Sequence, residues 1–338
     1  MRTRIVATIG PASEKQEQIK DLIKEGVSIF RISYSIEKPD IGEQRFHAVK
    51  ETIVHSGAEG IETLQDFGGI KIRLENQEPI KVTKGERFII SAKEIAGEEK
   101  GTTVTNHYFW SNVRSDSMLY IGDGQAALQV RELSDDTAIT DVLFSGSIGP
   151  RKGVTIPGMS FGFGANIKAD AELAVAGAKL GYDYVALSFV ERAEDIKLFK
   201  DIIAQHAPDY APRIIAKIET ASAVEDIDAI VKESYGIMIA RGDLALQEDY
   251  ADMPQIQNDL IQKCRKEGKF VIVATQMLES LMHSYIPFRA EINDVADAVR
   301  ECASATMLSG ETAVGDDPAH AVEVMRRIIE KTEAWLAP

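Results

Sequence analysis

Short runs of apolar and β-branched residues recur along the chain, and segments with the spacing of amphipathic helices separate them. Each run has the length of a buried strand, and most end in a polar, charged or glycine residue. The eight runs are Arg4–Gly10, Ile29–Ser33, Thr63–Gly68, Tyr184–Phe189, Arg213–Glu219, Gly236–Gly242, Phe270–Gln276 and Thr306–Glu311. Strands that alternate with helices predict a parallel sheet, and their number favours a closed (β/α)8 TIM barrel. In such a barrel the active site lies at the carboxyl ends of the strands.

The stretch between the third and fourth runs breaks this alternation. It carries alternating Thr, Val and Ile in Ile80–Thr83 and Arg87–Ile90, and a turn signal at Gly122–Gly124, which is typical of an all-β domain. We therefore predict a barrel over residues 1–73 and 154–338, with a small inserted β-barrel domain over residues 74–153. An insertion at the rim of a barrel is well placed to close over the site as a lid and to exclude water.

Charged residues end two neighbouring predicted strands. Lys217 and Glu219 are two residues apart and therefore project from the same side of their strand. Asp243 follows Gly242 at the end of the next strand, where a helix could begin. A cation and two acids are what a hard divalent metal ion and a phosphoryl group require. We therefore expect the chemistry of the protein at these strand ends.

The composition excludes several classes of partner. The 338 residues are 44% hydrophobic and 27% charged, with a formal net charge of −15, which argues against nucleic acid or an anionic membrane as the main partner. The two cysteines, Cys264 and Cys302, have no CxxC spacing and predict reduced thiols in a cytoplasmic protein. The first apolar run stops at Gly10–Pro11, too early for a signal peptide, and no run reaches membrane-spanning length.

The strand ends, taken in order, resemble those of the pyruvate kinases. The similarity extends from about Thr3 to about Thr332, and each motif alone would be weak. The motifs that carry it are Ala7–Ser13, Ala216–Glu219, Ala240–Leu244, Ala274–Leu278, Arg289–Glu291 and Met307–Glu311. Because all of them occur in the right order and on the expected elements, coincidence is a poor explanation.

The resemblance implies a role for each residue on the keto-acid side of the site. Glu219 and Asp243 are implied as ligands of Mg²⁺ or Mn²⁺, and Lys217 as the ammonium that stabilises the transferring phosphoryl group. Gly242 and Asp243 are implied to open a helix whose backbone N–H groups face the substrate carboxylate. Thr275 would hydrogen-bond that carboxylate near the carbon that is protonated.

Further residues match the proton relay and the phosphate and nucleotide contacts of the family. Ser309 and Glu311 resemble a relay to the protonated carbon. Arg31 and Arg73 match arginines that clamp the transferring phosphate, a task to which guanidinium forks are suited. The residues implied on the nucleotide side are Pro11, Arg73, Asp123 and Lys152.

The second strand departs from the family pattern Arg-x-Asn-Phe-Ser-His-Gly. Ser33 replaces the asparagine, Ile36 the histidine and Glu37 the glycine. The lost side chains serve the nucleotide, so this departure puts the handling of ATP and ADP in question while the keto-acid side looks intact.

A second departure concerns the monovalent cation of the family. Lys71 stands where a glutamate accompanies the K⁺ site, and a tethered ammonium can supply the charge that the ion would have supplied. We therefore predict that K⁺ is not required, with Ser33, Ser35 and Asp66 as remnants of the ion site.

The chain ends shortly after the predicted last barrel helix, whereas most family members continue into a regulatory domain. We therefore expect no C-terminal regulatory domain, no allosteric control through one, and a monomer or a homodimer formed around Arg289–Val299.

Three functions remain open at this point. The first is Mg²⁺-dependent phosphoryl transfer between phosphoenolpyruvate, or a close 2-phosphooxy-enoate, and ADP, giving pyruvate and ATP. The second is a metal-dependent lyase or decarboxylase of 2-oxo acids that uses the same enolate pocket without nucleotide, which the altered second strand favours. Lys217, Arg31 and Arg73 favour the first, because a lyase has little use for three cations there. The third is a non-catalytic paralogue, which the retention of Lys217, Glu219, Asp243 and Thr275 together opposes.

Overall fold

The computed structural model describes residues 3–35, 39–95 and 99–337, so the predicted departures at Ile36 and Glu37 lie outside the described residues. The strands are β1 (Arg4–Ile9), β2 (Ile29–Ser33), β3 (Glu62–Asp66), β4 (Ile80–Val82), β5 (Arg87–Ser91), β6 (Gly101–Thr103), β7 (Met118–Ile121), β8 (Ala126–Leu133), β9 (Thr137–Val142), β10 (Gly146–Ile148), β11 (Val154–Thr155), β12 (Tyr184–Leu187), β13 (Arg213–Ile218), β14 (Gly236–Ala240), β15 (Phe270–Ala274) and β16 (Ala305–Leu308).

The helices alternate with the strands outside the segment from β4 to β11. They are α1 (Gln16–Glu25), α2 (Pro39–Ser56), α3 (His107–Asn112), α4 (Ala165–Gly177), α5 (Ala193–His206), α6 (Ala221–Glu225), α7 (Ile227–Glu233), α8 (Arg241–Leu244), α9 (Met253–Lys266), α10 (Arg289–Arg300), α11 (Gly310–Ala313) and α12 (Pro318–Leu336), with 3₁₀ turns at Ala178–Leu180 and Glu279–Met282. No helix among the described residues is both long and apolar enough to cross a membrane.

The chain forms two compact units. The barrel unit comprises residues 1–69, 164–241 and 254–338, and the sheet unit comprises residues 70–163 and 242–253. This division differs from the boundaries predicted at 73/74 and 153/154. It also assigns Asp243 to the sheet unit, whereas the predicted barrel domain included that residue.

The barrel unit contains a closed barrel of eight strands in the order β1-β16-β15-β14-β13-β12-β3-β2. Every neighbouring pair is parallel, so the predicted (β/α)8 TIM barrel is confirmed. All five residues of β14, Gly236–Ala240, are buried, as expected for a parallel strand covered on both faces. Gly236 lies so close to β15 that an added Cβ would be 2.1 Å from the Phe270 carbonyl oxygen.

The sheet unit consists mainly of β-strands, as the sequence predicts, and also contains the short helix α3. It contains a six-stranded sheet in the order β11-β7-β8-β9-β5-β6 and a two-stranded sheet of β10 and β4. Most of its strand pairs are antiparallel. Among the described residues the strands therefore form open sheets rather than the predicted small closed barrel.

Candidate active site

Charged side chains continue the inward-facing columns of the barrel toward the carboxyl ends of its strands. Ile29, Leu64 and Ile215 belong to the core inside the barrel. Because side chains alternate along a strand, the residues two positions further on share that face. These residues are Arg31, Asp66 and Lys217. The strand pattern thus brings the basic residues Arg31 and Lys217 into one cluster with Asp66, the acid predicted as a remnant of the K⁺ site.

Lys217 is the centre of this cluster. Its side chain is 6% exposed, and its Nζ donates to the Phe67 carbonyl oxygen at 2.6 Å. The same atom lies 3.0 Å from Asp66 Oδ1 and 3.5 Å from Glu219 Oε1. The Asp66 contact is an ion pair rather than a well-angled hydrogen bond. A buried ammonium is thus held by one carbonyl and two carboxylates.

Arg31 holds the other oxygen of Asp66. Its Nε donates to Asp66 Oδ2, and its NH1 donates to Thr8 Oγ1 at 2.9 Å. Thr8 in turn donates to the Leu308 carbonyl oxygen at 2.8 Å. Asp66, predicted as a remnant of a K⁺ site, is therefore a buried carboxylate shared by Arg31 and Lys217.

These contacts fix the charge states of the cluster. Burial alone would raise the pKa of Asp66, but the charges of Arg31 and Lys217 outweigh it and lower that pKa. Burial alone would lower the pKa of Lys217, but the carboxylates of Asp66, Glu219 and Asp170 raise it above the ordinary lysine value. At neutral pH Lys217 is therefore charged although it is buried.

Asp170 is a fully buried acid beside this cluster. Its Oδ2 accepts the Ser188 N–H at 2.6 Å, and its Oδ1 lies 3.4 Å from the Ser188 hydroxyl. Burial raises the pKa of Asp170 to about 8, although the Ser188 N–H and the charge of Lys217 act in the opposite direction. Asp170 is thus mostly protonated at neutral pH.

Glu219 offers the chemistry that a hard metal ion prefers. It is buried, and its Oε2 accepts the Phe189 N–H at 2.7 Å. Across the described ranges, no group of three or more His, Cys, Asp or Glu side chains could hold a metal ion. Mg²⁺ is commonly bound by one or two carboxylates together with substrate oxygens and water.

Thr275 and its neighbour occupy an unusual backbone conformation. Thr275 has φ of 74° and Gln276 has φ of 55°, in the left-handed region that a β-branched residue rarely adopts. Glu311 supports the segment that follows, because its Oε1 accepts the Leu278 N–H at 3.2 Å and its Oε2 accepts the Ser309 N–H at 2.7 Å. Burial raises the pKa of Glu311, although these backbone donors act to lower it. The role of Ser309 and Glu311 in proton relay stays a prediction.

Three residues predicted on the nucleotide side lie together in the sheet unit. Arg73 pairs with Gly153 in an antiparallel bridge, and its NH1 donates to the Arg151 carbonyl oxygen at 3.2 Å. The side chain of Lys152 runs beside Gly122, the first residue of the turn that carries Asp123. A cleft of about 600 Å³ in this unit is lined by Lys71, Arg73, Leu74, Glu75, Gln77, Thr103, Thr105, Asn106 and Arg151.

Lys71 and Asp243 also meet within the sheet unit. Lys71 Nζ lies 3.6 Å from Asp243 Oδ2, and both side chains are about one-third exposed. Asp243 is the third residue of α8, which begins at Arg241, one residue before the predicted Gly242. The ammonium proposed to replace K⁺ is therefore paired with an acid predicted to bind the divalent metal.

The remaining predicted residues belong to the barrel unit. Ser33 faces Asp66 across β2 and β3, and its hydroxyl donates to Ser35 Oγ at 3.2 Å. Pro11 is exposed in the loop after β1. This loop is tied to α11, because the Ala12 N–H donates to the Ala313 carbonyl oxygen at 2.9 Å.

The fold and these contacts can be compared with known proteins. A family model described as "Pyruvate kinase, barrel domain" matches residues 1–322. The chain belongs to the pyruvate kinase family. A pyruvate kinase of Bacillus licheniformis is 36% identical over 340 residues, covering 99% of this chain, and one of Agrobacterium vitis is 38% identical over 338 residues, covering 98%. The crystal structure of a pyruvate kinase from Cryptosporidium parvum matches 98% of this chain with a TM-score of 0.89 and 33% sequence identity.

The match covers only part of these pyruvate kinases. This chain spans 58% of the Bacillus protein, 68% of the Agrobacterium protein and 69% of the Cryptosporidium chain. The resemblance to the pyruvate kinases given by the sequence motifs is nevertheless confirmed over almost the whole of this chain.

Two residues beside predicted site residues, Asp170 and Arg241, were not predicted from the sequence. Asp170 could have been found from helical spacing, because it shares the buried face of α4 with Ile167, Ala171 and Ala174. Arg241 directly follows the fully buried β14, just as the predicted site residue Glu219 directly follows β13. Only the two residues after Arg241, Gly242 and Asp243, were predicted as site residues.

Proposed function

We propose that the protein transfers a phosphoryl group between phosphoenolpyruvate, or a close 2-phosphooxy-enoate, and a nucleoside diphosphate such as ADP. The observation that carries this proposal is the buried, charged Lys217, which forms ion pairs with Asp66 and Glu219. Arg31 forms a second ion pair with Asp66. Fixed cations in a site of low dielectric constant stabilise a transferring phosphoryl group without reorganisation. Membership of the pyruvate kinase family supports the same reaction.

A divalent cation, Mg²⁺ or Mn²⁺, belongs to the proposal. The resemblance assigns Glu219 and Asp243 as its ligands, and the carboxylate chemistry of both residues fits a hard ion. When bound, such an ion polarises substrate oxygens and offsets their negative charge.

The other steps of the proposed reaction are assigned to side chains of this protein. Lys217 and Arg31 neutralise charge on the transferring group, and Asp66 keeps both cations in place. Thr275 binds the substrate carboxylate near C3, where the enolate left by phosphoryl transfer takes up a proton. Arg73, Asp123 and Lys152 are proposed to contact the nucleotide, which their grouping in the sheet unit supports.

We further propose that turnover does not require K⁺, because Lys71 supplies a fixed positive charge. Its ammonium group lies 3.6 Å from Asp243, so the charge is held by an acid instead of being free in solvent. Turnover measured with K⁺ or tetramethylammonium at constant ionic strength should be equal. Lys71→Glu should then introduce a dependence on K⁺, whereas a strict K⁺ requirement of the unaltered protein would refute the proposal.

The reaction is tested by coupling pyruvate formation to lactate dehydrogenase with phosphoenolpyruvate, Mg²⁺ and a panel of nucleoside diphosphates. Lys217→Met should lower turnover by at least about 10³-fold, since a charge that acts in the transition state is lost. Lys200→Met is the matched control, because Lys200 forms an ion pair with Glu233 on the surface. Far-UV circular dichroism at the assay temperature shows whether each variant is folded.

A second measurement separates the alternatives. Isothermal titration with Mg²⁺ and oxalate, a mimic of enolpyruvate, followed by ADP should show binding of both ligands. Binding of oxalate without ADP would instead favour the 2-oxo acid lyase, and the absence of both would favour a non-catalytic protein.

A further inference from the structure

We propose that Arg241 is a positioning residue that holds the segment from Thr275 to Met277 in its strained conformation. The inference rests on the proposed function, in which Thr275 binds the substrate carboxylate near the carbon that is protonated. Arg241 belongs to the Ala240–Leu244 motif, and its side chain donates hydrogen bonds to this segment.

All the N–H groups of the Arg241 guanidinium have acceptors. Its Nε lies 3.3 Å from the Ala274 carbonyl oxygen and 3.2 Å from that of Thr275. Its NH2 lies 2.6 Å from the Thr275 carbonyl oxygen, 3.3 Å from that of Gln276 and 2.9 Å from Met277 Sδ. One side chain therefore binds three successive carbonyl groups at the end of β15.

The other side of the guanidinium is anchored to two helices of the barrel unit. Its NH1 donates to Asp294 Oδ1 of α10 at 2.6 Å and to Gln257 Oε1 of α9 at 3.3 Å. Gln257 donates in turn to Glu301 Oε2 at 2.9 Å. The Arg241 side chain is only 16% exposed, so the carbonyl groups are held by a group that is itself fixed.

The segment needs such support because of its backbone. Thr275 and Gln276 both have positive φ values, and strained conformations persist only where the surroundings determine them. Arg241 binds the carbonyl groups of this segment, while Glu311 accepts the Leu278 N–H at its far end. With its φ and carbonyl direction fixed, Thr275 keeps only its side-chain rotation, so its hydroxyl is aimed in advance.

A lysine cannot replace this arginine. The guanidinium presents five N–H donors in a planar fork, whereas an ammonium has three donors on one atom. Three donors are too few to bind Asp294, Gln257 and the carbonyl groups of residues 274–276 together. Arg241→Lys therefore keeps the charge and removes the geometry.

The test compares hydrogen–deuterium exchange, measured by mass spectrometry on the whole chain, with turnover. Arg241→Lys should speed exchange of the amides of residues 275–279 by at least about tenfold and leave the barrel strands unchanged. It should lower turnover with phosphoenolpyruvate by about 100-fold. Arg327→Lys, an exposed residue of α12 paired with Glu323, is the control and should change neither quantity.

A rescue experiment separates positioning from general damage. Glycine adopts a positive φ without steric cost, so adding Gln276→Gly to Arg241→Lys should recover at least about fivefold of the lost turnover. Unchanged exchange at residues 275–279, faster exchange across the whole barrel, or no rescue would each overturn the proposal. If Arg241→Lys does not fold, Asp294→Asn must still speed exchange of the same amides, and no change there would equally count against it.

The exchange measurement does not depend on the reaction. If the unaltered protein shows no turnover with any diphosphate, the proposed function fails while the exchange result still decides whether Arg241 holds the segment.

Discussion

The pairing of Lys217 with Asp66 yields the most direct test of the site. Lys217→Met removes the ammonium, Asp66→Asn removes the carboxylate charge, and the double variant removes both. In the unaltered protein the two charges are 3.0 Å apart, with 6% and 1% of their side chains exposed. Removing Lys217 also leaves the Phe67 carbonyl oxygen without this donor and leaves Glu219 without its neighbouring cation.

The geometry sets the expected size of the effect. At an effective dielectric constant of about 20, two unit charges at this distance attract by roughly 5 kcal/mol, and the cost of removing them from water offsets much of that. Breaking such a buried pair from one side usually costs about 3–5 kcal/mol. We therefore expect Lys217→Met to lower the free energy of unfolding by that amount. The double variant should cost about 2 kcal/mol less than the sum of the two single variants.

Urea unfolding followed by far-UV circular dichroism at pH 7 measures these free energies. The barrel and sheet units are fitted as separate transitions wherever the curve shows two. Lys200→Met removes a surface lysine from an ion pair and should cost less than about 1 kcal/mol. A similarly small effect of Lys217→Met, or additive effects of the two single changes, would show that the buried ion pair of Lys217 and Asp66 does not stabilise the fold.

Two further predictions concern the barrel unit. Burial raises the pKa of Asp170 to about 8, from about 4 in the unfolded chain. Between these two pH values the folded protein keeps a proton that the unfolded chain has lost. The free energy of unfolding should therefore fall by about 2 kcal/mol between pH 6 and pH 7.5. Urea titrations at both pH values measure this fall, and Asp170→Asn should lack it. The same fall in the variant and in the unaltered protein would contradict the prediction. Gly236→Ala should lower the free energy of unfolding by about 2–3 kcal/mol, because the added methyl group meets the Phe270 carbonyl oxygen. Gly153→Ala, whose nearest neighbouring atom is 3.9 Å away, should change it by less than about 1 kcal/mol, and equal losses would refute the steric argument.

The barrel could be predicted from the sequence because its strands are buried over most of their length. A parallel strand covered on both faces has a short, continuous apolar run, and β14 at Gly236–Ala240 is such a case. The positions of Lys217 and Glu219 followed from strand alternation alone. The open form of the sheet unit did not follow, because alternation indicates strands without indicating whether a small antiparallel sheet closes.

The partners of the charged residues could not be predicted in the same way. Asp66 and Lys217 are 151 positions apart, and their pairing depends on which strands the closed barrel brings face to face. Lys71 likewise pairs with Asp243, which is far along the chain from it. Sequence spacing gives the side of an element on which a residue lies, whereas an ion pair depends on the tertiary register of two elements.

The charge balance of the cluster supports the proposal that a divalent cation enters the site together with the substrate. Arg31 and Lys217 contribute two positive charges, and Asp66 and Glu219 contribute two negative charges. Asp170 adds almost none at neutral pH, since its pKa is about 8. A phosphorylated acid entering alone would leave net negative charge in a poorly solvated site, and a divalent ion entering alone would leave net positive charge. Their joint entry leaves a smaller net charge than entry of either one alone, so the affinity for either should rise when the other is present.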